Sequence, residues 1–132
     1  ALNDGRAMDK WNKMIRAQHG DPTAKLQVAK HEHTILAESS GFVNELDALA
    51  VGTASWRLGA GRARKEDPVQ FGAGVILHAK RGDQVTKGQP LLTLFTDEEN
   101  RFERAIDALS GGISIAAERV SGPELILDRI SN

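Results

Sequence analysis

The sequence predicts a single α+β domain. Three segments carry apolar residues spaced three to four apart, which is the period of an amphipathic helix, and shorter segments have the apolar runs or alternation typical of strands. Turns rich in glycine separate these segments. At 132 residues the chain has the length of one domain and can bury about two-thirds of its unfolded surface, so it can form its own core.

The composition is that of an ordinary globular protein. Apolar residues make up 40% and charged residues 27% of the chain, and the formal net charge is -1, which creates no field that would attract nucleic acid or a membrane surface. The absence of cysteine excludes disulfides, thiolate zinc sites and thiol catalysis, and it is compatible with a reducing cytoplasm. No apolar run approaches the roughly 20 residues of a membrane span, and Ala1 to Lys10 contains no signal-peptide core.

The first predicted element is a one-faced helix from Asp4 to Gln18. Asn3 or Asp4 can cap its start, and Gly20 and Pro22 mark its end. Four residues at helical spacing form its apolar face: Met8, Trp11, Met14 and Ile15. The chain begins without methionine, in the middle of what reads as a helix, so we expect it to be a segment of a longer polypeptide.

A β-hairpin is predicted for residues 31 to 46. Alternating residues around Ile35 and Ala37 lead into a Ser39-Ser40-Gly41 turn, and the chain continues in extended form to Leu46.

A second helix is predicted after the hairpin, capped by Asp47 and ended by Gly59. Apolar residues recur along it at helical spacing: Val51, Ala54 and Leu58. Gly52 inside the helix costs ~1 kcal/mol relative to alanine. That cost predicts close packing of another backbone at Gly52.

An irregular connection rich in glycine and charge is predicted from Gly59 to Gly74, with a short turn at Asp67-Pro68. Alternation from Val75 to Ala79 then predicts a strand. The Arg81-Gly82-Asp83 turn follows, and Leu91 to Phe95 predicts a continuous apolar strand.

A third amphipathic helix is predicted from Phe102 to Leu109 and ends at Gly111-Gly112. Two extended runs close the chain, residues 113 to 117 and 125 to 130, joined by Ser121-Gly122-Pro123.

Residues 82 to 99 resemble half of the cofactor-carrying hairpin of lipoyl and biotinyl domains, in which a modified lysine sits at the tip of a tight hairpin. Here Glu98 stands where a lipoyl-type pattern has the lysine, so no amide to a cofactor can form there. Thr96-x-x-Glu99 fits a helix capping box, with Asp97 and Glu98 near the positive end of the helix dipole. A lipoyl- or biotinyl-like carrier, or a module that binds a small ligand, remains as one possible function of such a hairpin, as the alternative to the function implied by the family resemblance given below.

The segment Gly59 to Lys65 combines glycines with three cations and invites comparison with a phosphate-binding loop. Phosphate loops precede a helix, whereas this segment follows a helix whose C-terminal end is partly negative. We expect a solvated loop in which the cations complement that end and pair with Glu66 and Asp67. Contact with another domain or with a bound anion is the second interpretation for three side chains: Arg62, Arg64 and Lys65.

The remaining candidates predict neither a metal site nor a catalytic site. On an extended chain His31 and His33 share one face and Glu32 points to the other, so this stretch offers at most two ligands. His78 lies in a strand with no obvious partner. No serine stands in a G-x-S-x-G elbow. These residues therefore predict no catalytic residue, metal or cofactor.

Five groups of residues, in register along nearly the whole chain, carry a resemblance to a known family. They are Asp4-Gly5-Arg6-Ala7 through Met14-Ile15-Arg16-Ala17-Gln18-His19-Gly20-Asp21, Gly41-Phe42-Val43 with Leu46-Asp47, Leu58 to Val69 including Gly59-Ala60-Gly61-Arg62-Ala63-Arg64-Lys65, Gly72-Ala73-Gly74-Val75, and Gly82-Asp83 to Leu91-Leu92. Together they resemble the C-terminal region of thymidine phosphorylase and the related pyrimidine-nucleoside phosphorylases. One departure is His19, where the family more often has glycine.

The resemblance implies a protein about three times this length, a cytoplasmic homodimer with a pyrimidine-binding helical domain and a larger phosphate-binding α/β domain. It implies reversible phosphorolysis of thymidine to thymine and 2-deoxyribose 1-phosphate, with no metal in the chemistry. Residues 1–24 would be a helical segment leading in from the upstream part, and residues 25–132 the C-terminal domain, of α/β-hammerhead type with a barrel-sandwich-like β unit and flanking helices.

The same resemblance places the family's phosphate- and pyrimidine-binding residues upstream of the matched region. No catalytic or substrate-binding role therefore passes to a position in this chain. We expect the chain alone to have no phosphorylase activity and its partners to be the upstream domains of the same polypeptide, with no nucleic acid and no membrane.

Overall fold

The computed structural model describes residues 1–119, 126 and 128–130, and it confirms the α+β class. The helices are α1 (Arg6–Ala17), α2 (Ala48–Ser55) and α3 (Phe102–Leu109), and the strands are β1 (His31–Leu36), β2 (Gly41–Leu46), β3 (Gly74–Leu77), β4 (Gln84–Val85), β5 (Pro90–Thr96) and β6 (Ile113–Ala116). A π-helical turn, Trp56–Ala60, extends α2, and a 3-10 turn, Glu99–Arg101, precedes α3. The predicted run 125 to 130 and its Ser121-Gly122-Pro123 connection lie wholly or partly outside the described residues.

The strands of the described residues form two three-stranded antiparallel sheets. In the first sheet β5 lies between β1 and β3, and in the second β2 lies between β4 and β6. The apolar strand β5 thus pairs with β3, which precedes it in the chain, as well as with β1. β5 is buried along most of its length, which explains why its sequence is apolar without alternation.

The hairpin predicted for residues 31 to 46 is wrong as a pairing. Both strands form, but β1 and β2 belong to different sheets. The cause lies just after β1, where the Ala37 N–H donates to the Gln89 carbonyl (2.8 Å) and the Ala37 carbonyl accepts from the Gly88 N–H (2.8 Å). The end of β1 is thereby bonded to the turn before β5, and the following serines carry the chain across to the second sheet.

One core joins both sheets and the helices α2 and α3. Its fully buried apolar side chains come from four different elements: Val43, Leu58, Val85, Leu92 and Leu94. Each buried side chain of this size contributes roughly 1.5–3 kcal/mol relative to its exposed state. The core therefore fixes the position of the segments around Leu58 and the end of β5, where the candidate site lies.

The second helix begins after Asp47 as predicted, whereas α2 itself ends at Ser55 and the predicted end at Gly59 lies within the π-helical turn that extends it. The Asp47 carboxylate accepts a hydrogen bond from the Leu49 N–H (2.9 Å), and Gly59 leaves the helical conformation with φ +113°. The close packing predicted at Gly52 is wrong, because a Cβ built there would meet nothing within 4 Å. Gly52 lies on the solvent side of α2, so no neighbouring backbone requires it.

Helix α1 stands apart from this core. None of its residues is buried, and the exposed fractions of Met8, Trp11 and Met14 are 61%, 52% and 44%. The predicted apolar face is therefore present, but it makes no substantial contact with another helix or strand of the described residues. Within the part of the chain that the structure describes, no helix is long and apolar enough to cross a membrane.

The two ends of α1 are set by local backbone chemistry. It starts at Arg6 rather than Asp4, because Gly5 takes a left-handed conformation and the Asp4 carboxylate accepts from the Arg6 N–H (3.1 Å). Beyond its end, His19 has φ +62°. In the turn that follows, hydrogen bonds from the Thr23 hydroxyl (2.7 Å) and N–H (2.8 Å) lower the pKa of Asp21.

Candidate functional site

The turn after β5, where a carrier domain would display its lysine, is held in place by side-chain hydrogen bonds. Thr96 is fully buried, and its Oγ1 donates to the Leu58 carbonyl (2.8 Å) and accepts from the Glu98 N–H (3.2 Å). The hydroxyl thus serves the end of the strand, and α3 begins only at Phe102, after a 3-10 turn. The predicted capping box between Thr96 and Glu99 is therefore wrong.

Gln70 connects this turn to the irregular loop. Its Oε1 accepts from the Asp97 N–H (2.8 Å), its Nε2 donates to Glu98 Oε1 (2.6 Å), and its backbone N–H donates to the Gly59 carbonyl (2.9 Å). Glu98 is held a second time by Arg101 Nη2 at 2.8 Å. The position of the missing carrier lysine is thus occupied by a carboxylate with two hydrogen-bond donors.

A pocket of about 260 Å³, here called the arginine pocket, lies between the irregular loop and the start of α3. Its lining residues are Trp56, Arg57, Gly61, Ala63, Asp67, Pro68, Arg101 and Arg104. The loop approaches the indole closely, since a Cβ on Gly61 would lie 2.8 Å from Trp56 Cδ1. Glycine at this position allows the loop to form one wall of the pocket.

The three arginines of the pocket are held differently. Arg57 Nη1 donates to the Arg104 carbonyl (2.6 Å) and to Asp107 Oδ2 (2.8 Å), which ties the π-helical turn to α3. Arg101 pairs with Glu98, but its Nε is buried without a hydrogen-bond acceptor in the part of the chain that the structure describes. The Arg104 side chain takes part in no hydrogen bond or ion pair among the described residues.

The cations predicted as anion contacts, Arg62, Arg64 and Lys65, lie on the exposed outer part of the same loop. They form no ion pair among the described residues, so the predicted pairing with Glu66 and Asp67 is not found there. The Asp67 carboxylate instead accepts from two backbone N–H groups of the loop, those of Ala63 (3.2 Å) and Arg64 (2.8 Å).

Sequence reasoning missed the arginines that line the pocket. Arg57 is 47 positions from Arg104, and no local pattern connects them. The i, i+3 spacing of Arg101 and Arg104 was the available signal, because it places both on one face of a helical segment.

Two of the histidines, His33 and His78, have side-chain partners at the first sheet or the start of α3. The ring of His33 packs at a tilt on that of Phe102, with the centroids 5.6 Å apart. His78 does have a partner, contrary to expectation, because its Nε2 lies 2.7 Å from Thr93 Oγ1, which is also 3.1 Å from Thr34 Oγ1. Among the residues that the structure describes, no group of three or more histidine, aspartate or glutamate side chains is placed to hold a metal ion.

Fold and site together define an α+β domain in which the turn after β5 carries a carboxylate, Glu98, held by Gln70 and Arg101. Comparison with known proteins identifies one family. The family model for the pyrimidine nucleoside phosphorylase C-terminal domain matches residues 42–116. The chain belongs to this family.

Curated relatives match nearly the whole chain. The thymidine phosphorylase of Mycobacterium tuberculosis is 45% identical over 129 residues, which are 98% of this chain and 30% of the relative. The pyrimidine-nucleoside phosphorylase of Geobacillus stearothermophilus is 38% identical over 136 residues, covering 99% of this chain and 31% of the relative. The pyrimidine-nucleoside phosphorylase of Bacillus subtilis is 37% identical over 130 residues, which are 95% of this chain and 30% of the relative. The chain therefore spans about 30% of the length of these relatives.

Proposed function

We propose that the chain is the structural C-terminal domain of a thymidine phosphorylase and is inactive when isolated. The observation that carries this proposal is the match to the Mycobacterium tuberculosis thymidine phosphorylase, which extends over 98% of this chain but only 30% of that enzyme. The larger part of such an enzyme would supply the residues that bind phosphate and pyrimidine.

The reaction proposed for the whole protein is a reversible pentosyl transfer. Inorganic phosphate attacks the anomeric carbon of thymidine, thymine leaves, and 2-deoxyribose 1-phosphate is formed. The present domain would brace the phosphate-binding part without touching the reacting atoms. We retain the α/β-hammerhead type with a barrel-sandwich-like β unit as the finer description of its architecture.

Helix α1 supports a role as part of a larger molecule. Its apolar face is exposed although isolated helices of about 12–15 residues are marginal in water, and the family model begins at residue 42, well after this helix. We propose that residues 1–24 belong structurally to the upstream part and that Met8, Trp11 and Met14 pack against it. Arg62, Arg64 and Lys65 are proposed contacts to that upstream part or to a bound anion.

The upstream phosphate- and pyrimidine-binding domains of the same polypeptide are the proposed partners. The full-length protein is proposed to be a cytoplasmic homodimer that requires no cofactor.

Two activity measurements test this function. The purified 132-residue chain, mixed with thymidine and phosphate, is expected to release no thymine. A chimera in which this chain replaces the matching region of the Mycobacterium tuberculosis enzyme is expected to release thymine, because the supplied upstream part would hold the reacting groups. Thymine release by the isolated chain contradicts the structural role, and a folded but inactive chimera contradicts the assignment to this enzyme.

A further inference from the structure

We propose that the arginine pocket binds the phosphate group of a small phosphate ester. The proposal concerns a site in this chain itself and does not depend on the activity of any upstream domain.

The first argument is the type and number of cations. Arg57, Arg101 and Arg104 line one pocket, and guanidinium presents several N–H donors in a planar fork that matches phosphate oxygens. Arg57 also pairs with Asp107 and Arg101 with Glu98, and each guanidinium has further N–H donors beyond that pair. The lining carboxylate, Asp67, is engaged by two backbone N–H groups of its own loop. It forms no ion pair with these arginines in the described residues.

The second argument is the buried nitrogen of Arg101. Its Nε has no acceptor among the described residues, although Nη2 of the same group is bound to Glu98 at 2.8 Å. Buried donors are nearly always paired, so this nitrogen is able to take an acceptor from a ligand that enters the pocket. A phosphate oxygen is an acceptor of the required charge.

The third argument is the freedom of Arg104. Arg57 binds the backbone carbonyl of Arg104 and so fixes its backbone, while the Arg104 guanidinium forms no hydrogen bond or ion pair with any residue that the structure describes. An available cation on a fixed backbone is a suitable anchor for an oxyanion, because little backbone order has to be gained on binding.

The size and the walls limit the ligand. The pocket, at about 260 Å³, is smaller than the roughly 300–1,000 Å³ typical of drug-sized ligands, so it suits a ligand of the size of a sugar phosphate better than a dinucleotide. Trp56 is 42% exposed and offers a flat apolar face beside the cations. We infer that the phosphate contacts Arg101 and Arg104 and that the sugar lies against Trp56.

The two tryptophans of the chain provide the test, because Trp56 lines the pocket while Trp11 lies on α1. The indole N–H signals of the 132-residue chain are followed by NMR during titration with ribose 5-phosphate and with inorganic phosphate. Sodium acetate and sodium chloride at matched ionic strength are titrated in parallel. We expect a saturable shift of the Trp56 signal with both phosphates, and a constant Trp11 signal.

Arg104→Gln is the main variant, because it removes the free guanidinium and keeps the carbonyl that Arg57 binds. It is expected to weaken phosphate binding by about tenfold, and Arg101→Gln by a similar factor. Arg81→Gln, in an exposed turn outside the pocket, is the matched control and should bind as the parent does. Thermal melting of each variant identifies any that is unfolded, in which case the other pocket variant decides.

Three results would overturn the proposal. The first is no saturable Trp56 shift with either phosphate. The second is an equal effect of chloride or acetate, which would reduce the site to a general or carboxylate-binding cation cluster. The third is phosphate binding by folded Arg104→Gln that equals that of Arg81→Gln.

Discussion

Thr96 Oγ1 donates a hydrogen bond to the carbonyl oxygen of Leu58 across 2.8 Å, and both side chains are fully buried. The bond joins the last residue of β5 to the π-helical turn that extends α2. It therefore anchors the connection from which both the irregular loop and the turn before α3 depart.

Replacing this hydroxyl by a methyl group tests its contribution to stability. Thr96→Val keeps the shape of the side chain but leaves the Leu58 carbonyl and the Glu98 N–H without their partner, so we expect a loss of about 1–3 kcal/mol in the free energy of unfolding. Urea denaturation measures it. Thr86→Val, at an exposed position, should change stability by less than about 0.5 kcal/mol. Equal stability of the two variants would show that water replaces the buried bond.

Two glycines should respond to alanine in opposite directions. Gly52→Ala places a methyl group in open space on a helix and should raise the free energy of unfolding by about 0.5–1 kcal/mol. Gly59→Ala should lower it by about 2 kcal/mol or more, because φ is +113° and the new Cβ would lie 2.8 Å from Gln70 Cδ. Thermal or urea unfolding distinguishes them, and a destabilised Gly52→Ala would restore the packing role first predicted for that residue.

His19 holds a left-handed conformation that glycine adopts without steric cost. His19→Gly should therefore favour the end of α1 by about 1 kcal/mol and slow amide exchange there about fivefold. Gln18→Gly is the control, since Gln18 has φ -92° and gains nothing from glycine. Hydrogen exchange of the α1 amides is measured in both variants of the 132-residue chain. Faster exchange in His19→Gly would contradict the proposed backbone strain at His19.

Glu98→Lys restores the residue type that a carrier domain would have at this position. Because Glu98 is half exposed, its loss together with the new repulsion toward Arg101 should cost only about 1 kcal/mol. Glu99→Lys, the neighbouring exposed carboxylate, should cost less. After coexpression with lipoyl and biotinyl ligases, intact mass should show no added group on Glu98→Lys. A fixed mass increase would favour the carrier alternative.

Trp11→Ala should have a different effect on stability in the isolated chain and in the whole protein. In the 132-residue chain Trp11 is 52% exposed, so the free energy of unfolding should change by less than about 0.5 kcal/mol. In the full-length protein or chimera, where we propose that this face is buried, the loss should reach about 2 kcal/mol or more. Lys10→Ala on the polar face is the control for both. Equal small effects in both contexts would contradict packing of α1 on the upstream part.

Helix ends and strands that depend on residues close together in the sequence were predictable. The cap at Asp47, the end at Gly59 and the apolar run of β5 each depend on neighbours within a few positions, and each was predicted from the sequence. The error at Gly52 has the same origin, because a local cost was explained by a tertiary contact that the fold does not supply.

Partners distant in the chain were not predictable in this way. Alternation predicts that β1 and β2 exist, but their partners depend on which strands the core brings together. The arginine pocket shows the same limit, because Arg57 and Arg104 meet only when α2 packs on α3. The sequence predicted the exposed cations of the irregular loop, Arg62 and Lys65, as anion contacts. The arginines that line the pocket were identified only from the fold.

The division of β1 and β2 between two sheets has a consequence for how the chain acquires its structure. Thr34 on β1 pairs with Thr93 on β5, 59 positions later, so the first strand has no local partner on which to nucleate. The entropic cost of closing this long loop must be met before the β1–β5 hydrogen bonds and contacts stabilise the chain, and such topologies therefore fold slowly. During synthesis β1 must remain an open edge until β5 has emerged, and that interval is when the molecule is most exposed to misassociation.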